Sequence, residues 1–249
     1  MGTVFLAAAI AIAPLRADRR LSRGEIRTPA PLPPRALLIV GFLGAWEAWD
    51  NPKRSVRKLA LKLRDGNIPG VFVETADNHS RKTVLRFIRE ALDANRDGRL
   101  EAAEAQSAQI VLYGQSFGGA ACVMLAKELE RWGVPVRLTV QVDSVGRHDQ
   151  IIPANVKRAV NLFQSDPGPI RGRTQIKAAD ASKTKILANI QHTYLFRDID
   201  MSDYPKMTRK MAISHWKMDN DPLVWAEVES FIRAEIALWQ VEQLTPNKP

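Results

Sequence analysis

Residues 112–119 read LYGQSFGG, in which Gly114, Ser116 and Gly118 spell G-x-S-x-G. A serine hydroxyl is a poor nucleophile unless a neighbouring base takes its proton, and near neutral pH histidine is the side chain suited to that task. The chain has four, at 79, 148, 192 and 215. His215, in ISHWKMDNDPLVW, lies downstream of the serine in a loop before the last helix and is the candidate base. His192 falls in an apolar stretch, where packing is the simpler role, and His79 and His148 fall in polar loops. A carboxylate must orient the imidazole and stabilise its charged form, so it belongs at a strand's C-terminal end, between serine and histidine in sequence. Asp143, which closes VRLTVQVD, fits this place; Asp149 in GRHDQIIP and Asp166 in NLFQSD compete with it. Such a trio supports acyl transfer, whose oxyanion needs two backbone N–H donors. Phe117, just after the serine, supplies one. For the other, Gly41 and Gly44 in VGFLGAW let the chain turn so that the Phe42 N–H faces the site.

A second constellation lies in DANRDGRLEAAE, residues 93–104. Asp93, Asn95, Asp97, Gly98 and Glu104 fall on the constrained positions of a twelve-residue calcium loop. Asp93, Asn95 and Asp97 would give side-chain oxygens, Arg99 its backbone carbonyl, Glu101 a carboxylate or a bound water, and Glu104 a bidentate carboxylate, with Gly98 at the sharp turn. The expectation is one structural Ca2+, remote from the chemistry. Cys122, the single cysteine, sits on the apolar face of a helical segment, which excludes an internal disulfide and reads as a small core residue. Trp46, Trp49 and Trp216 are candidates for lining an acyl pocket.

These groups need elements to hold them. QIVLYG before the serine reads as a short buried strand and GGAACVMLAKELERW after it as a helix, so Ser116 would stand on a sharp strand-to-helix turn. The surroundings alternate in the same way: ALLIVGF, GVFVETA, VRLTVQVD, VKRAVNLFQS and QHTYLF as strands, KRSVRKLALKLRDG and RKTVLRFIREAL as helices. The C-terminal DPLVWAEVESFIRAEIALWQ reads as a helix capped by Asp221, with Pro222 at its first position. Alternating strands and helices predict an α/β fold, a doubly wound, mostly parallel sheet with flanking helices.

With 249 residues, 45% of them apolar and 25% charged, the chain suits one globular domain. The formal net charge is +9, of which +4 lies in residues 1–35. The remaining cations are scattered, with no interleaved aromatic stripe, which argues against a nucleic-acid partner. TVFLAAAIAIAPL, too short to span a bilayer, is followed by Arg16, Arg19, Arg20 and Arg23 and then by TPAPLPP. Residues 1–35 are therefore expected to be a targeting or anchoring appendage ending in a Pro-rich linker, and residues 36–245 the domain. An exported or membrane-associated protein is expected, with a cytoplasmic one as the alternative.

Taken together, LLIVGFLG, YGQSFGGA, VQVDSV and a late histidine before a final helix resemble an α/β-hydrolase of the lipase and esterase type, over roughly residues 36–240. The resemblance implies hydrolysis of a small-molecule or lipid carboxylic ester through an acyl-enzyme, with no cofactor in the chemistry. Two positions depart from many relatives, which carry histidine where Gln115 and Val40 stand here. The alternative expectation is a non-catalytic, calcium-stabilised binding protein on the same fold.

Overall fold

The computed structural model describes residues 20–211 and 213–244. In chain order its elements are β1 (Leu37–Leu43), α1 (Ser55–Asp65), β2 (Val71–Asp77), α2 (Arg81–Leu92), α3 (Ala102–Gln106), β3 (Gln109–Gln115), α4 (Phe117–Glu130) and β4 (Val136–Val142). There follow β5 (Ile151–Ile152), β6 (Val156–Gln164), β7 (Lys177–Ala178), β8 (Lys185–His192), α5 (Lys206–Met211), α6 (Ser214–Asn220) and α7 (Pro222–Leu244). Six strands form one sheet in the order β2-β1-β3-β4-β6-β8, every pairing parallel, while β5 and β7 pair separately. This is the doubly wound sheet expected, in the arrangement of an α/β-hydrolase fold.

A strand covered on both faces reads as a continuous apolar run, because alternate side chains enter different cores. In β1, Leu37, Ile39 and Leu43 pack with α1 and α7, while Leu38, Val40 and Phe42 pack with α2 and α4. Cys122 is fully buried in the second of these cores, and burial pushes its thiol pKa far up. The edge strand β8 behaves differently. Its residues alternate between exposed and half-buried: Ile186 packs against the α2 and α4 core, and, past a register shift opposite Ala159 and Val160, Ala188 and Ile190 pack against the α1 and α7 core. The expected strand QHTYLF is thus corrected to Lys185–His192, since an edge strand left half open to solvent is marked by alternation and not by an apolar run.

The N-terminal boundary is also corrected. Residues 20–35 are not a free linker: Leu21 is 3% exposed and Thr28 5%. The Leu21 N–H donates to Asp77 Oδ2 and Ser80 Oγ, both at 3.0 Å. The N–H groups of Arg27 and Thr28 donate to Glu74 Oε1, and Leu32 N–H to the Ala91 carbonyl. Buried carboxylates at 74 and 77 need donors, and this strap supplies them. The targeting segment expected further upstream, through residue 19, lies outside the described residues. No helix among the described residues is long and apolar enough to cross a membrane.

Candidate active site

Ser116 sits between the end of β3 and the start of α4, with φ 59° and ψ −127°. That left-handed backbone is strained for a residue bearing a Cβ, and it is the geometry of a nucleophile elbow. Absent side chains make it sterically feasible. A Cβ at Gly114 would lie 2.5 Å from the Gly118 carbonyl carbon, and one at Gly118 would lie 2.6 Å from the Phe42 carbonyl carbon. The Ser116 N–H donates to the Val142 carbonyl at 2.9 Å, tying the elbow to β4.

His215 Nε2 is 3.0 Å from Ser116 Oγ, and His215 Nδ1 is 2.6 Å from Asp143 Oδ2. With Nδ1–H donating to the carboxylate, Nε2 is left to accept the serine proton. All three side chains are nearly enclosed: Ser116 is 6%, His215 3% and Asp143 0% exposed. The expected loop at His215 is instead a helix, α6, with His215 as its second residue. A carboxyl on the same face of that helix, Asp219, accepts from Tyr204 Oη at 2.6 Å; burial raises its pKa despite the opposing pull of Arg54 and of that hydrogen bond.

Asp143 is held by residues that no local pattern marks. Its Oδ1 accepts from Gly172 N–H at 2.8 Å and Gln164 N–H at 3.2 Å, and its Oδ2 accepts from Gln164 Nε2 at 3.0 Å. The two competing aspartates are engaged elsewhere. Asp149 accepts from Ser144 Oγ, from Gly146 N–H at 2.9 Å and from Arg173 Nε at 2.9 Å. Asp166 accepts from Tyr194 N–H at 2.6 Å, Thr193 Oγ1 at 2.7 Å and Ser214 Oγ at 2.8 Å. Burial raises the Asp166 pKa, but these hydrogen bonds and the charge of Lys217 outweigh it and hold the carboxyl below its usual value. Asp166 thereby fastens the residue immediately before His215.

The expectations for the first-strand loop need correction. Gly41 does not turn the chain. It lies within β1, paired with Thr75 and Tyr113, and a Cβ there would meet the Tyr113 ring 2.5 Å away. Phe42 is likewise a fully buried strand residue, between Ala76 and Gly114. The chain leaves the sheet only after Leu43, so the residue of this loop lying against the serine is Gly44, where a Cβ would be 3.4 Å from Ser116 Cβ and 2.8 Å from Gln115 Oε1. Phe117 is where expected, at the first position of α4, among the N–H groups that a helix leaves without intrahelical acceptors. Gln115 is more involved than its sequence suggests: its side chain is buried, with Nε2 3.3 Å from His215 Nε2.

In the acidic loop, Arg96 (φ 61°) and Gly98 (φ 79°) both have left-handed backbones. Asp93 accepts from the N–H groups of Asp97 and Gly98, Asn95 from Asp97 N–H, Asp97 from Arg99 N–H, and Glu104 from Ala94 and Glu101 N–H. The side chains thus turn inward onto the loop's own backbone. Among the described residues, no three His, Cys, Asp or Glu side chains are gathered closely enough to hold a metal ion. Each carboxylate still keeps unused lone pairs.

No protein-family model matches the chain, and no curated sequence matches it. Among solved structures it is similar to "A novel cutinase-like protein from Cryptococcus sp.", at 13% identity and a TM-score of 0.30, over 51% of this chain and 62% of that one. It is also similar to "RedJ with PEG molecule bound in the active site", at 15% identity and a TM-score of 0.33, over 76% of this chain and 94% of that one.

Proposed function

We propose that this protein is a serine hydrolase that cleaves a carboxylic ester through an acyl-enzyme. The observation that carries this reading is the hydrogen-bonded chain from Ser116 Oγ through His215 to Asp143, at 3.0 and 2.6 Å. His215 Nε2 takes the Ser116 proton as Oγ bonds to the ester carbonyl carbon, then returns that proton to the alcohol oxygen as the C–O bond breaks. Water, deprotonated by the same nitrogen, attacks the acyl-serine and releases the acid and free Ser116. Asp143 holds the imidazole in the tautomer with Nδ1 protonated and balances its charge when both nitrogens are. The oxyanion is assigned to the Phe117 N–H and to the loop beginning at Gly44, which replaces Phe42 because Gly44 lies against the serine.

The test is labelling by a fluorophosphonate, which reacts only with an activated serine. Wild type should label and hydrolyse p-nitrophenyl esters, and Ser116→Ala should do neither while keeping its fold. A folded wild type that fails to label under conditions where an authentic esterase does so refutes the reading and leaves a binding protein. Two further proposals rest on sequence. Ligand spacing assigns Ca2+ to residues 93–104 as a structural ion, at the end of β3 opposite Ser116. The apolar run and arginines before residue 24 assign an exported or membrane-associated location.

A further inference from the structure

The three tryptophans near the strand ends have different environments. Trp49 is 8% exposed, with the Arg57 guanidinium 5.3 Å from its ring centroid. Trp216 is half-buried and its ring centroid is 6.3 Å from that of Tyr204. Trp46 is 61% exposed. It occupies the third position of the turn Gly44–Glu47, closed by Glu47 N–H donating to the Gly44 carbonyl at 3.4 Å, and its φ is 55°.

Both features work against the fold. A left-handed backbone at the third turn position suits glycine or asparagine and strains a bulky side chain. An indole 61% open to water contributes little burial. A position that is strained and exposed at once points to a role outside folding, the direction of inference that observed backbone outliers license. The place of the turn indicates the role. Its first residue, Gly44, lies against Ser116 and Gln115, so the turn lies on the rim of the proposed catalytic serine.

We propose that Trp46 is the docking surface for the apolar part of the acyl group, which makes the substrates esters of medium or long aliphatic acids in preference to acetate. An indole gives a large flat apolar surface with only two side-chain torsions to immobilise. Each methylene it covers in the transition state raises kcat/KM about fourfold, so contact with one or two methylenes is worth roughly four- to fifteenfold.

This inference rests on the ester-hydrolase reading, and the experiment separates the two. The full chain, Trp46→Ala and Trp46→Gly are assayed on p-nitrophenyl acetate and p-nitrophenyl octanoate, with fluorophosphonate labelling and melting temperature measured in parallel. The octanoate-to-acetate ratio of kcat/KM should fall roughly tenfold in both variants. Trp46→Gly should melt no lower than wild type, because glycine accepts φ 55° without strain. An unchanged ratio in labelling-competent variants overturns the proposal. So does an equal loss on both esters with a lowered melting temperature, which would mark Trp46 as structural. A wild type that neither labels nor cleaves either ester removes the hydrolase reading and this proposal with it.

Discussion

Gly172→Ala adds one methyl group, yet it should disable the site. The new Cβ would lie 2.6 Å from both Cα and the carbonyl carbon of Asp143, and closer still to Oδ1. Carbon atoms pack at about 3.5–4.0 Å, so roughly 1 Å of movement is required. Because two of the clashing atoms are backbone, no change of rotamer relieves them. The movement must fall on Asp143 or on the segment carrying Gly172, and either loses the Gly172 N–H bond to Oδ1 and misaligns the 2.6 Å contact with His215. A 1 Å misplacement costs about 10²-fold in rate, and complete loss of the orienting carboxylate about 10⁴-fold. The expected fall in kcat lies between these limits, with KM little changed and a stability loss of about 1–3 kcal/mol from overpacking. Steady-state kinetics on a p-nitrophenyl ester with thermal melting checks it. A folded Gly172→Ala variant with kcat within about threefold of wild type would refute the claim that this glycine is needed to seat Asp143.

Two other predictions concern carboxylates, one beside the site and one set remote from it. Since its folded pKa is depressed, Asp166 contributes stability that is present above the unfolded carboxylate value of about 3.9 and is lost as pH falls through the lower folded value. The melting difference between wild type and Asp166→Asn should therefore hold steady above about pH 5 and shrink toward pH 3; an equal difference at pH 3 and pH 6 would count against it. For the acidic loop, calcium at about 100 times its Kd should stabilise wild type by about 2.7 kcal/mol and leave Asp93→Ala unmoved. A melting temperature indifferent to both calcium and chelator would remove the site, and a kcat that collapses on chelation well below melting would remove its structural role.

Much of this arrangement can be read locally. The strand, glycine turn and helix around Ser116 follow from residues 109–132 alone, because periodicity and glycine placement are short-range signals. The place of His215, and the need for a carboxylate between it and Ser116 in the chain, follow from chain order once a parallel sheet is inferred. Choosing among three aspartates is another matter, since Asp143, Asp149 and Asp166 have similar surroundings in sequence. What decided it was sheet order: β3, β4 and β6 lie side by side, and the β6 end brings Gln164, with Gly172 beyond it, onto Asp143. The same long-range pairing kept Phe42 inside β1, set Gly44 against Ser116, and laid residues 21–32 on the domain where composition suggested a linker. Composition and periodicity report how each residue relates to its chain neighbours. The partners of Asp143 lie 21 to 72 positions away in the chain, and those contacts exist only once the sheet has assembled.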